Sequence, residues 1–295
     1  MKLAAIDIGT NACRLLVSEV IPGVDGVAKF NKLNLVRIPL RLGFDVFETG
    51  EISKEKKGML FQSMKAYSHI MNAYGVTKHI AVATSAMRDA KNRNEIVQKV
   101  YLETGINIQI ITGDFEASLI YESHIAEQLD QGTTYLYIDV GGGSTELTLI
   151  DKGILIFKES FNIGTIRILK NQVNETDWEN MKLRIKEAVK NQIKVIAIGT
   201  GGNINKIFSM SKRKDGKALD LELLKSYYKE FSSCSLSERI HLYQFREDRA
   251  DVIVPALLIY TQVMKWATID EIIVPKIGLV DGLIQHLYEE LRLPN

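Results

Sequence analysis

The sequence predicts an α/β protein built from two related lobes, and three observations predict it. Short apolar strands alternate with segments of helical periodicity along the 295 residues. An apolar strand that ends in aspartate and enters a turn of small residues occurs twice, as Ala5-Ile6-Asp7-Ile8-Gly9-Thr10-Asn11 and as Tyr137-Ile138-Asp139-Val140-Gly141-Gly142-Gly143. The two aspartates lie 132 residues apart, too far for a solenoid repeat and about right for a duplicated lobe.

Lys2 to Ile8 alternates as a strand, Arg14 to Val20 returns from the Gly-Thr-Asn turn, and Leu33 to Leu40 makes a third strand. Leu60, Met64, Tyr67, Met71 and Tyr74 recur at helical spacing, with Ser53 as N-cap and Gly75 as stop. A strand at His79 to Thr84, a helix from Met87 to Glu103 ending at Gly105, a strand at Ile106 to Ile111 and a helix from Phe115 to Leu129 follow. The order then restarts. Thr134 to Val140 is a strand, Glu146 to Ile150 its return, and Asp151-Lys152-Gly153 a hairpin into Ile154 to Phe161. Helices near 175–192, after Gly202, near 250–266 and at the end of the chain, with strands at Val195 to Ile198 and Ile269 to Val274, complete it. Two domains are expected, 1–128 and 129–295, with a terminal helix near 280–295 packing back on the N-terminal lobe.

Composition removes several classes of function. A 46% hydrophobic and 25% charged chain has a globular composition, and its longest apolar stretches, such as Val252 to Tyr260, fall short of the roughly 20 residues of a membrane span. Asp7 and Asn11 interrupt the first apolar run, so no signal-peptide core forms, and a cytoplasmic protein without membrane partners is expected. Cys13 and Cys234 lack CxxC spacing, and His69, His79, His124, His241 and His286 lack ligand spacing, which argues against a disulfide framework or a zinc site. With a net charge of +1 a polyanion must be gripped locally, which argues against a specific nucleic-acid partner.

The repeated turns carry the chemistry. Backbone N–H groups of small residues approach an anion closely, and the adjacent carboxylate holds a Mg²⁺ ion directly or through its waters. Gly9, Thr10 and Asn11 taken alone also suit a plain hairpin with an Asx-type turn. Gly141, Gly142 and Gly143, followed by Ser144 and Thr145, are harder to read that way, because three consecutive glycines cost conformational entropy that a structural hairpin does not need. A third turn, Gly199-Thr200-Gly201-Gly202, opens a helix and suits either a nucleotide phosphate or a simple helix entry. Hydrolysis at phosphorus further needs a carboxylate to position water and a cation to offset charge. Glu116 lies in a first helical turn, where the helix dipole alone would favour an acid, and Glu146 closes the second turn. Arg88 enters a helix from a strand, where it reads as a solvated arginine or as a bidentate phosphate contact. Lys206, Lys212, Arg213, Lys214 and Lys217 form a basic stretch that suits a solvated loop first and a polyanion second.

At these residues the sequence resembles the exopolyphosphatase and guanosine pentaphosphate phosphatase family. IDIGTNACRL and DVGGGSTE are similar to its two phosphate motifs, GDFEA to the motif with the catalytic glutamate, and PLRLGFDVFETGEIS, ATSAMRDAKN, FNIGTIR, GTGGN, RADVIVPALLI and IGLVDGL to further segments. The resemblance implies two ribonuclease H-like lobes of the actin-like ATPase fold flanking a cleft. It also implies Glu116 as base, Glu146 orienting the water, Asp7 and Asp139 around Mg²⁺, and a homodimer. Asp114 and Phe115 stand where relatives often carry a second glutamate, and Ala12-Cys13 where Ser-x is usual. Longer relatives carry a helical C-terminal domain, whereas this chain stops at Asn295, which points to shorter chains or nucleotides. The implied activity is release of terminal phosphate from inorganic polyphosphate, with guanosine pentaphosphate as the other substrate. A phosphotransferase on the same fold and a non-catalytic sensor of polyphosphate or alarmone are the alternatives from other classes.

Overall fold

A computed structural model of the chain describes residues 1–23, 28–122, 132–275 and 277–292. The expected boundary at 128/129, the part of the expected helix beyond Glu122, His124, and residues 293–295 of the terminal helix lie outside the described residues. The chain divides into two compact units, Met1–Ser123 with Leu279–Asn295, and His124–Gly278.

In the first unit β1 (Lys2–Ile8), β2 (Cys13–Ile21) and β3 (Lys29–Ile38) form an antiparallel meander. Then come α1 (Leu42–Thr49), α2 (Lys54–Tyr74), β4 (Lys78–Ala83), α3 (Ser85–Asp89), α4 (Arg93–Thr104), β5 (Ile108–Ile110) and α5 (Gly113–Glu122). The sheet order is β3-β2-β1-β4-β5, with β1, β4 and β5 parallel. β1 is buried from Leu3 to Ile8, which is why it reads as a continuous apolar run carrying only one charge, Asp7. Ser53 caps α2 by accepting from the Lys56 amide, and Gly75 ends it at φ 67°, as the sequence predicts.

Departures from the expected elements have local causes. β3 ends at Ile38, not Leu40, because Pro39 has no N–H to give the ladder. The helix expected over Met87 to Glu103 is two helices. Asn92 bonds both the amide and the carbonyl of Ile52, at 3.1 and 2.9 Å, and so fixes a break that no glycine or proline announces.

The second unit repeats the meander as β6 (Thr134–Val140), β7 (Thr145–Asp151) and β8 (Ile154–Phe161). α6 (Thr165–Leu169), α7 (Glu175–Val189), β9 (Val195–Thr200), α8 (Gly202–Met210), β10 (Leu219–Asp220), α9 (Leu221–Ser233), α10 (Leu236–Tyr243), α11 (Glu247–Ala250), α12 (Ile253–Trp266) and β11 (Glu271–Ile273) follow. Its sheet order is β10-β11-β9-β6-β7-β8, with β6, β9 and β11 parallel. Lys152 and Gly153 both have positive φ, 50° and 78°, which gives the β7–β8 turn the twist that a two-residue hairpin needs. The helix expected near 175–192 stops at Val189, and the one near 250–266 is α11 and α12. The sequence reading assigned nothing to α1, α6, α9 and α10.

The last helix, α13 (Leu279–Arg292), belongs to the first unit. Its Leu279, Val280, Leu283, Ile284, Leu287 and Tyr288 bury against Leu3, Ala5, Leu16 and Val20 of the sheet. A Cβ on Gly282 would stand 2.0 Å from the Leu119 carbonyl oxygen, so only glycine lets α13 pass α5 at this distance. No helix among the described residues is long and apolar enough to cross a membrane.

Candidate functional site

In the first unit Asp7 is the next-to-last residue of β1 and pairs across the ladder with Arg14 of β2. The guanidinium donates to the Asp7 carboxylate at 2.7 Å. Burial pushes the Asp7 carboxyl above its usual value, and Arg14 opposes this. The turn between them is closed by the Gly9 amide donating to the Ala12 carbonyl at 3.1 Å. Its carbonyls are held from behind, since Gly43 donates to Thr10 and Arg41 to Asn11 at 3.0 and 2.9 Å. The Arg-Leu-Gly segment that opens α1 is therefore the backing of this turn.

The ATSAMR segment adjoins the same turn. Parallel pairing sets Ile8 beside Ala83, the Ala86 amide donates to Thr10 Oγ1 at 3.2 Å, and the Ser85 hydroxyl is buried with no hydrogen bond. Arg88 donates to the Ile111 carbonyl at 2.8 Å and so ties α3 to the segment leading into α5. Thr112 caps α5 by accepting from the Phe115 amide, and the Glu116 amide donates to the Thr112 carbonyl, which puts Glu116 in the first turn. Asp7 lies at the C-terminal end of β1, and Gly9, Thr10, Asn11, Arg88 and Glu116 follow the C-terminal ends of β1, β4 and β5, the end of a parallel sheet where ligands bind.

The second unit repeats the first turn with different side chains. Asp139 of β6 pairs across the ladder with Glu146 of β7, and Gly141 donates to the Ser144 carbonyl at 2.9 Å. The backing here is the N-terminus of α6. Thr165 donates to the Gly141 carbonyl at 3.1 Å, Ile166 to the Gly142 carbonyl at 2.8 Å, and Arg167 Nε to the Gly143 carbonyl at 2.7 Å. A Cβ on Gly164 would stand 2.5 Å from the Gly142 carbonyl oxygen and from the Gly143 carbonyl carbon, so the segment FNIGTIR approaches the turn as closely as glycine allows. Thr145 is fully buried and donates to the Ile163 carbonyl at 2.6 Å.

The third turn lies beside the second. Thr200 ends β9 next to Asp139, and Gly201 caps α8 with φ 102°. A Cβ on Gly201 would stand 3.1 Å from Asp139 Oδ1, and one on Gly202 3.0 Å from the Arg249 guanidinium. Arg249 donates to Asn203 at 2.7 Å, and the buried Tyr260 hydroxyl donates to the Thr200 carbonyl. Asp139, Glu146 and the turns 141–144 and 199–202 thus belong to one constellation. The basic stretch does not join it as a group. Arg213 is bound to Asp220 and to the Ala218 carbonyl, and Lys206 lies over the Phe245 ring.

Carboxylate oxygens of Asp139 and Glu146 lie within 4.8 Å of each other. Two ionised carboxylates so close repel unless a cation offsets them, and hard oxygen donors suit a divalent ion such as Mg²⁺. These residues fit a metal. Asp7 fits less directly, because Arg14 already supplies its positive charge, though Asp7 Oδ1 is buried with no hydrogen bond.

Arg14, Ser160, Arg167, Arg249 and Tyr260 were not singled out from the sequence. Only the pairing register could have marked Ser160, and Arg14, Arg167 and Arg249 lie inside segments recognised as motifs but given no role.

Residues 24–291 match the Ppx/GppA phosphatase family, and the chain belongs to it. It is similar to the bifunctional 3-dehydroquinate synthase/phosphatase of Fusobacterium nucleatum, 29% identical over 95% of this chain and 46% of that protein. It is 30% identical to exopolyphosphatase 2 of Mycobacterium tuberculosis over 57% of this chain and 53% of that one. The chain thus spans about half the length of these curated relatives. In fold it is similar to an exopolyphosphatase from Cytophaga hutchinsonii, with a TM-score of 0.82, 23% identity and 98% of each chain covered.

Proposed function

We propose that the chain is a Mg²⁺-dependent phosphoanhydride hydrolase that releases terminal phosphate from inorganic polyphosphate, with guanosine pentaphosphate as the alternative substrate. The observation that carries this reading is the Asp139–Glu146 carboxylate pair beside a glycine turn, in a chain of the Ppx/GppA phosphatase family. Amides of Thr10, Asn11 and Gly142 to Thr145 bind phosphate oxygens, while those of Gly9 and Gly141 close the two turns. Glu116 takes the proton of the attacking water, and Glu146 orients it. Asp139 and Glu146 would hold Mg²⁺, and Asp7 is the further carboxylate assigned to the ion. Bound there, the ion offsets charge on the phosphate oxygens. Arg88 and the turn 199–202 add contacts to the phosphate chain or to a nucleotide.

Phosphate release is measured from short polyphosphate, long polyphosphate, guanosine pentaphosphate and ATP, each with and without Mg²⁺, for the wild type and Glu116→Gln. Release that needs Mg²⁺ and is lost in Glu116→Gln supports the reading and ranks the substrates. Turnover that needs an added acceptor supports a phosphotransferase instead, and tight binding without release supports a sensor. Near-normal turnover by Glu116→Gln with every substrate overturns the assignment of the base. The buried Cys13 and the half-buried Cys234 are free thiols, which supports a cytoplasmic setting. A homodimer is the expected assembly, and light scattering after gel filtration tests it.

A further inference from the structure

Glu146 is almost fully buried, at 2% exposure, and its carboxylate orientation must be set by neighbours. One of these is on the next strand. Ser160 of β8 is the cross-strand partner of Glu146, and its hydroxyl donates to Glu146 Oε1 at 2.9 Å.

The register that creates this pair is not the one the hairpin turn starts with. Next to the turn, Asp151 pairs with Ile154 and Ile150 with Leu155. Between Leu149 and Ile150 the register slips by one residue, after which Leu149 pairs with Phe157 and Glu146 with Ser160. Continued without the slip, the starting register would set Glu159 opposite Glu146, a third carboxylate against two. The bulge replaces it with a neutral donor. A slip of one residue also exchanges the faces of a strand, so the bulge decides which side chain reaches Glu146 at all. The first unit has a bulge at the matching place, between Val17 and Ser18, and there Arg14 pairs with Arg37. Asp7, Arg14 and Arg37 across three strands therefore match Asp139, Glu146 and Ser160.

We propose that Ser160 is a positioning residue, delivered by the β7–β8 bulge, that holds the Glu146 carboxylate in the orientation needed to share a divalent cation with Asp139 and to orient water. This rests on the role given to Glu146 above. Ser160 touches neither substrate nor reacting atoms; it acts through the hydrogen bond to Oε1. Such supporting donors typically change metal affinity or activity by about 10–100-fold when removed.

The test compares the wild type, Ser160→Ala and Ser160→Thr. Mn²⁺ alone is titrated and followed by electron paramagnetic resonance, and phosphate release from tripolyphosphate is measured with Mg²⁺. Ser160→Ala should weaken Mn²⁺ binding and lower kcat about tenfold, with KM and the thermal midpoint nearly unchanged. Ser160→Thr keeps the hydroxyl on a strand that tolerates β-branching, and should restore both to within about twofold. Four results overturn the proposal: Ser160→Ala binding Mn²⁺ as the wild type does, Ser160→Ala turning over as the wild type does, Ser160→Thr failing to restore binding, or a wild type that takes up no Mn²⁺. The Mn²⁺ result separates this proposal from the hydrolase reading. Weakened binding in a protein that releases no phosphate leaves the positioning role standing and removes the hydrolase. Turnover that Ser160→Ala leaves untouched does the reverse.

Discussion

Arg14 and Glu146 occupy the same place in two matching hairpins, each directly across the strand pair from an aspartate, with opposite charge. In the first unit the aspartate meets a guanidinium at 2.7 Å, and in the second it meets another carboxylate within 4.8 Å. Two turns of one backbone design thus carry two electrostatic solutions. In one unit the aspartate faces a guanidinium, and in the other it faces a carboxylate in an acidic pair that fits a divalent cation.

Replacing Arg14 by leucine should leave the Asp7 carboxylate buried without its counter-charge. Asp7 is only 3% exposed, so the folded state should lose about 1–3 kcal/mol. Urea unfolding near neutral pH measures this, and Arg14→Lys should recover part of the loss, since it keeps the charge without the fork. An unchanged midpoint in Arg14→Leu would mean that the ion pair does not hold the hairpin.

Asp45 gives a pH-dependent prediction. Burial opposes its charge, but the Lys56 ammonium at 2.7 Å and the Ser53 amide at 3.0 Å overcome this and hold the carboxyl below its ordinary value of 3.8. A depressed carboxyl contributes stability above the ordinary value and loses it as pH falls through the folded one. Asp45→Asn should therefore lower stability by about 1 kcal/mol at neutral pH, and the difference should vanish in strong acid. Urea midpoints at pH 7 and below pH 3.8 make the comparison.

Gly164→Ala would place a methyl group against the Gly142–Gly143 backbone at 2.5 Å. Overpacking of this kind costs about 1–3 kcal/mol. The strain falls on the turn proposed to bind phosphate, so phosphate release should drop at least tenfold at a temperature where circular dichroism still reports a folded protein. Full activity in this variant would show that the turn can move back without consequence.

Tyr260→Phe removes the donor to the Thr200 carbonyl behind Gly201. Burial, with the nearby Asp139 carboxylate, pushes this phenol well above its usual range, so it stays protonated and donates throughout working pH. The substitution should cost about 1–3 kcal/mol for the carbonyl left unsatisfied and lower turnover, measured together by thermal melting and phosphate release.

Much of this was legible in the chain because local rules decided it. Short apolar runs marked β1 and β2, Ser53 and Gly75 bracketed α2, and small residues after Asp7 and Asp139 marked the turns. What stayed hidden was set by partners distant in sequence. The break before α4 comes from Asn92 gripping Ile52, and α1 is a short helix entered from Arg41 in a left-handed conformation, which no periodicity over eight residues reveals. Arg14 reads as an ordinary strand residue until register sets it against Asp7. Ser160 is invisible for a stronger reason, since counting back from the Lys152-Gly153 turn gives the wrong partner and only the bulge corrects it.

The position of α13 has a consequence for synthesis. The second unit has all its described strands between residues 134 and 273, so its sheet needs nothing from α13. The first unit, although its strands emerge earliest, keeps Leu3, Leu16 and Val20 uncovered until α13 arrives with Leu283 and Ile284. The half made first is the half finished last, and a chain cut before Leu279 would keep every described strand of the second unit while its N-terminal sheet stayed open to chaperones and proteases.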